Sequence, residues 1–271
     1  MSTPSRHALD HFLTLTPSGD GWAVDVPPAW TPAGAAHGGV LFGMAVTAMG
    51  RRALHPDLLT ATAHFLRPTM PGAAHVTAEV LRSGRAHATT QATLSQDGKE
   101  TVRVLAVFGT LPPGPPDTEL KPPILPPPQE CVQVHGAPPG DGPPDYPSTL
   151  DVRIHPDVGW PHGRPSGRAE VTGWARMSDD RPHDDASLAV LADGFPPAIF
   201  DALPVAHVPT LELTVHVRAK PSSSWLAGRF TTRVVNEPYL EEDGLLWDES
   251  GRLVVMSRQL ALADANSARR L

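Results

Sequence analysis

The sequence predicts an α+β fold in which one folding unit is used twice, and three observations carry that prediction. The same elements recur in the same order: a small-residue apolar helix at 36–50, a strand ending TATAHFLRP and a hairpin closing at 111 are answered by ASLAVLADGFPPAIF, PTLELTVHVRAKP and the hairpin at 243–263. Both helices are apolar nearly all round, so each must be buried, while the long segments beside them read as antiparallel strands. Of the chain's 32 prolines, 14 crowd together between the copies, at 111–130 and 137–147. Proline fixes φ and removes a donor, so neither stretch continues a helix or a central strand.

In chain order, residues 11–26 read as a hairpin turning at Ser18-Gly19-Asp20-Gly21. The first helix follows. Residues 74–109 form three extended runs broken at Ser83-Gly84 and Asp97-Gly98, the second a strong hairpin signal. The expected division is a first repeat at 1–111, a semi-rigid proline-rich linker at 112–147 and a second repeat at 148–265. In the second repeat the helix is expected from about Asp185 to Phe200, with later turns at Asp243-Gly244 and Ser250-Gly251. Two sheets joined edge to edge would wrap the two helices in one continuous sheet.

Composition excludes several classes. With 40% hydrophobic and 19% charged residues the chain is ordinary globular material able to bury a core. A net charge of −7 without a basic block argues against nucleic acid as a partner. No apolar run is long enough to span a bilayer, and the first residues lack a signal-peptide core, so a cytoplasmic location is expected. The single cysteine, Cys131, fits a reducing compartment and reads as a linker residue.

Three places invite chemistry. The start of the first helix, His37-Gly38-Gly39, either packs tightly through its glycines or offers free N–H groups to a carbonyl oxygen or phosphate. Asp193 shares a helical stripe with Ala186 and Ala189, so small side chains leave space above its carboxylate. A buried carboxylate is either satisfied locally, as a helix-terminal Asp beside Gly194 and Pro196, or used. His183, with Asp184 and Asp185, reads as a helix cap before a metal ligand. No GxSxG elbow and no HxxxH pair with an adjacent Glu is present, which disfavours a serine nucleophile and a zinc hydrolase.

The Gly-Gly helix, the proline-rich link, LADGF, PTLELTVHVR and LVVMSRQLALA, in that order, resemble the TesB-type acyl-CoA thioesterase family over roughly residues 9–263. The resemblance implies a double hotdog, two tandem repeats each with a central helix wrapped by a curved antiparallel sheet. It also implies a water-holding set of an Asp, a Thr and a Gln, which fall on Asp193, Thr210 and Gln259. Thr214 is the alternative to Thr210, since even spacing puts both on one strand face. Two positions depart from the family pattern: Glu212 and Leu213 stand where better-known members carry an Asp and then a His. A hydratase of the same general fold would want a His at position 198, which is Ala198.

The expected activity is hydrolysis of a fatty acyl-CoA to the free acid and CoA, with no cofactor. Asp193 serves as base or as nucleophile, and Thr210 and Gln259 position the water. Expected substrate contacts are His37, Gly38, Gly39 and Thr214, with Arg218, like Arg67 and Lys220, placed to meet CoA phosphates. Aligning Gly98 with Gly251 puts Ala106 opposite Gln259, so the first repeat lacks the amide and should mainly shape the acyl site. A non-catalytic acyl-thioester or lipid-binding protein is the alternative, and a scaffold working through its proline-rich linker a further one. Exposed sheet edges make a homo-oligomer, at least a dimer, the expected assembly.

Overall fold

The computed structural model describes residues 7–31, 34–114, 116, 118, 120–135, 146–204 and 207–263. The first half runs α1 (Ala8–Phe12), β1 (Thr16–Ser18), β2 (Gly21–Val26), α2 (Gly38–Gly50), β3 (Asp57–Phe65), β4 (Gly72–Ser83), β5 (Ala88–Gln96) and β6 (Lys99–Gly109). The second runs β7 (Val132–His135), α3 (Tyr146–Thr149), β8 (Leu150–Ile154), β9 (Glu170–Met177), α4 (Asp185–Ala192), β10 (Thr210–Val217), β11 (Leu226–Thr231), β12 (Val235–Asn236), β13 (Tyr239–Asp248) and β14 (Leu253–Leu262).

Among the described residues all fourteen strands belong to one antiparallel sheet, ordered β1-β2-β4-β5-β6-β3-β10-β14-β13-β11-β9-β8-β7 with β12 on β13. The halves meet where β3 pairs with β10, and there the Thr62 and Thr214 hydroxyls bond each other at 2.8 Å. Helices α2 and α4 lie against each other inside the curve of the sheet. Glycine sets their separation. A Cβ on Gly39 would sit 3.1 Å from the Val190 carbonyl oxygen, and one on Gly43 3.3 Å from that of Ala186. Accordingly α2 is buried from Gly39 to Val46, with Phe42 and Met44 wholly enclosed, each such side chain contributing roughly 1.5–3 kcal/mol of burial.

The turn chemistry reads out directly at Asp97-Gly98: both residues have positive φ, 51° and 71°, as a two-residue hairpin loop between right-twisted strands requires. Four expectations change. Residues 8–12 are a helix, because Leu9 and Phe12, three apart, both enter the core, where Phe12 meets Trp30 edge-on at 4.8 Å. Asp243-Gly244 is no turn; it lies within β13, paired with Arg258 and Ser257. Glycine is needed there because a Cβ would come within 2.5 Å of the Phe230 ring. The second helix stops at Ala192, since Pro196 and Pro197 cannot extend it, and Ala198–Asp201 form a separate 3-10 turn. Finally, Val132–His135, inside the proline-rich span, pairs with β8 as the sheet's last strand. The stretch before it lies along the second half of the sheet, held by the Trp247 and Trp174 indole N–H groups, which donate to the carbonyls of Leu120 (2.7 Å) and Pro126 (2.9 Å).

Among the described residues, no helix is long and apolar enough to cross a membrane.

Candidate active site

The site begins at the two helix ends that meet. Asp184 caps α4 through a reciprocal pair of bonds with Ser187, which fixes where the helix starts. Eight helical residues later Asp193 stands at the C-cap, outside the helix proper, with its side chain turned toward the start of α2. The Gly39 N–H donates to Asp193 Oδ2 at 2.6 Å and more weakly to His37 Nδ1 at 3.2 Å. A helix N-terminus is where a carboxylate is best received, because its first amides lack intrahelical partners and carry the positive end of the dipole. Even so, burial raises the pKa of Asp193, the nearby His37 and the Gly39 amide pulling against it. A carboxylate made more basic in this way is suited to taking a proton from water.

His37 Nδ1 lies 3.5 Å from Asp193 Oδ2. The pair is not a salt bridge, because burial lowers the pKa of His37 despite the nearby carboxylate, leaving the ring neutral with both atoms accepting from the same amide. Its proton therefore sits on Nε2. Tyr146 stacks on the His37 ring at 4.1 Å, and Tyr146 in turn meets Trp30 and His135 edge-on. Burial and the proximity of His37 hold His135 at a pKa of about 4. A wall of neutral rings thus covers this end of α2.

The second part of the site lies on the sheet. Thr210 Oγ1 donates to Gln259 Oε1 at 2.9 Å, Gln259 Nε2 donates to Glu242 Oε1 at 2.9 Å, and the Ala198 N–H donates to Glu242 Oε2 at 2.5 Å. The fold explains each member. Gln259 stands opposite Leu213 on β10 and Glu242 on β13, with its side chain on the core face. Phe195 lies over Gly228 and stacks on Phe230, so the chain after α4 turns back and presents Ala198 to Glu242. Asp193 does not hydrogen-bond to Thr210 or Gln259. It joins the chain electrostatically, its charge helping to raise the pKa of Glu242.

Thr210 and Thr214 do not share a face. A register shift between Thr210 and Glu212 breaks the even spacing, so Thr210 turns inward to Gln259 while Thr214 stands opposite Arg258, on the face where it bonds Thr62 and Glu212. Glu212 is on that outer face too, and Leu213 fills the core. Arg218 is exposed at the other end of β10, roughly 26 Å along the strand from Thr210, and is not brought to the cluster. Arg67 donates to the Glu100 carbonyl and Lys220 pairs with Asp57 at 2.6 Å. His183 Nε2 meets the Ser224 carbonyl, and Asp184 is occupied as the cap.

Sequence reasoning missed Glu242 and Tyr146. The signal for Glu242 was available: in Leu240-Glu241-Glu242-Asp243-Gly244-Leu245-Leu246, alternation puts Glu242 on the face of Leu240 and Leu246, both buried. Tyr146 sits in a proline-rich segment where no periodicity points inward. In the first half, Ala106 pairs with Ala61 and Thr90 as Gln259 pairs with Leu213 and Glu242, so the corresponding positions carry neither amide nor acid. Two clefts of about 270 and 360 Å³, one beside Arg181 and one under Ile124, lie away from Asp193.

Two helices back to back within a single sheet built from two tandem repeats define the double-hotdog class of protein. The family model for the acyl-CoA thioesterase N-terminal domain matches residues 26–109 and that for the C-terminal domain residues 128–263, so the chain belongs to the acyl-CoA thioesterase family and is a thioester hydrolase. A Thermobifida fusca YX protein, provisionally assigned as a thioesterase II, superposes with a TM-score of 0.87 at 29% identity, over 96% of this chain and 98% of that one. The acyl-CoA thioesterase II TesB2 of Mycobacterium marinum has the same fold, with a TM-score of 0.69 at 19% identity over 94% and 96% of the two chains. An uncharacterized Mycobacterium tuberculosis H37Rv protein is 28% identical over 87% of this chain and 88% of its own length.

Proposed function

We propose that this thioesterase hydrolyses fatty acyl-CoA with Asp193 as the group that draws a proton from the attacking water. The observation that carries the reading is the Asp193 carboxylate, 12% exposed, raised in basicity by burial and anchored on the Gly39 amide. Thr210 and Gln259 supply neutral hydrogen bonds that orient water without competing for its proton. The Gly38 amide at the same helix start and the His37 Nε2–H are the donors suited to the thioester oxygen as negative charge builds on it. Because the first half has Ala106 and Thr90 at the corresponding positions, the reading places hydrolysis in the second half alone. It includes a cytoplasmic protein of at least two copies, the sheet ending in edge strands β1 and β7.

The test is CoA release from short, medium and long acyl-CoAs by the wild type and Asp193→Asn. The expected result is turnover on at least one chain length that falls about 10²-fold or more in the variant while acyl-CoA binding persists. Binding without turnover in the wild type would instead make the protein a carrier of acyl thioesters, and unchanged turnover in Asp193→Asn would move the base elsewhere.

A further inference from the structure

Glu242 is a buried acid for which hydrolysis as proposed has no use. It is 5% exposed, faces the core between β11 and β14, and has two hydrogen-bond partners: the Ala198 amide on one oxygen and Gln259 Nε2 on the other. Asp193, at the end of α4, is the charged group that reaches it from the helix layer; Gln259 on β14 is neutral. Its neighbour Glu241 points to the other face, accepting from the Arg233 and Val234 amides.

An ionised carboxylate can only accept, so it fixes the Gln259 amide with Nε2 toward Glu242 and Oε1 toward Thr210. The donors then run in one direction, Thr210 to Gln259 to Glu242, and Thr210 has its lone pairs left to accept from a water. A protonated Glu242 can donate to Gln259 Oε1. The amide then turns over, Nε2 faces Thr210, and the hydroxyl becomes a donor to the water. We infer that Glu242 is a positioning residue whose proton sets the direction of the Thr210–Gln259 hydrogen-bond chain, and with it whether Thr210 accepts a hydrogen from the attacking water or donates one to it. The inference rests on the hydrolytic reading for its kinetic consequence, not for the reversal itself. With Glu242 ionised, both water hydrogens are bound by acceptors, Asp193 and Thr210, and both lone pairs are free for the thioester carbon. With Glu242 protonated, one lone pair is taken. The change falls in an accessible range, because burial, aided by the charges of Asp193 and of Glu241 on the other face, lifts the acid to about 7 against the two hydrogen bonds that favour its ionised form.

The test has two arms. In protein labelled with ¹⁵N at glutamine, the side-chain amide signal of Gln259, assigned by its loss in Gln259→Glu, is followed from pH 5.5 to 8.5. It should move with an apparent midpoint near 7 in the wild type and stay fixed in Glu242→Gln, which has the shape of the protonated acid and can donate to Oε1. In the second arm kcat and KM for the best acyl-CoA are measured over the same range. The wild-type kcat should rise with pH through about 7. Glu242→Gln should lose that inflection, with kcat at pH 8 down by about tenfold, the worth of one misdirected hydrogen bond, and KM within about twofold. A Gln259 signal that does not titrate, or a Glu242→Gln enzyme with the wild-type pH profile, would overturn the inference. If the wild type releases no CoA from any acyl-CoA, the hydrolytic reading fails, and the amide titration still decides the role of Glu242.

Discussion

The Gly39 amide and the Asp193 carboxylate, 154 residues apart in the chain, meet at 2.6 Å and so join the start of α2 in one repeat to the end of α4 in the other. The contact depends on the absence of a side chain. A Cβ on Gly39 would lie 3.1 Å from Asp193 Cβ and from the Val190 carbonyl, and backbone cannot swing aside. Gly39→Ala should therefore push α4 away, overpacking by about 1–3 kcal/mol against a helix-propensity gain of about 1 kcal/mol, and lower kcat by about tenfold or more as the bond stretches. Gly50→Ala is the control. Its Cβ would meet nothing nearer than Phe108 at 3.9 Å, so it should leave kcat unchanged and raise the midpoint of a urea melt slightly.

Thr210 and Thr214 give opposite forecasts despite their shared residue type. Thr210→Val removes the hydroxyl that bonds Gln259 and should reduce kcat by about tenfold or more. Thr214→Val acts on the outer face, where it loses bonds to Thr62 and Glu212, and should cost about 1 kcal/mol in stability while kcat stays within about twofold. Equal losses of kcat in the two variants would mean that the register shift at Glu212 is misassigned.

The repeat and the single sheet were legible because burial imposes period on sequence: alternation runs through β9, nearly all of β5 and most of β6 and β14, and the glycines of α2 are where the helices touch. Asp193 was legible as an acid inside an apolar run, although the helix was read eight residues too long and Asp193 stands at its end. What could not be read was long-range. Nothing local says that Gly39 is the partner of Asp193, that a bulge turns Thr214 outward, or that Tyr146 returns from the proline-rich span to stack on His37. Glu242 differs, because its inward position followed from alternation, and an acid on a core face signals function or a dedicated partner.

Asp185 makes stability fall as pH rises. Burial, with the charges of Asp184 and Asp57, lifts its pKa to about 6 against the Leu58 amide it accepts from and the charge of Lys220. The folded protein therefore binds this proton more tightly than the unfolded chain does. The stabilisation is complete below about 4 and lost as pH climbs through about 6. Asp185→Asn keeps an oxygen for the Leu58 amide and cannot ionise, so its stability relative to wild type should improve by about 1–3 kcal/mol between pH 4 and 7, read from urea melts at a series of pH values. A constant difference across that range would show that Asp185 ionises as freely folded as unfolded.

The proline-rich segment is tied to the sheet by two indole donors, and these should be separable from catalysis. Trp174 Nε1 donates to the Pro126 carbonyl and Trp247 Nε1 to that of Leu120, on strands β9 and β13, while Arg252 reaches the Gly114 carbonyl from the start of β14. Proline-rich backbone has few amide donors of its own, so it is held mainly through its carbonyl groups, and each lost bond frees a length of chain. Trp174→Phe keeps most of the ring and removes the donor, for a cost of about 1 kcal/mol. Limited proteolysis should then cut within residues 111–130 several times faster than in the wild type, and kcat should not change because Trp174, on β9, is three strands from Gln259 on β14 and bonds none of the site residues. A fall in kcat matching the gain in cleavage would instead make the tethered segment part of the active site.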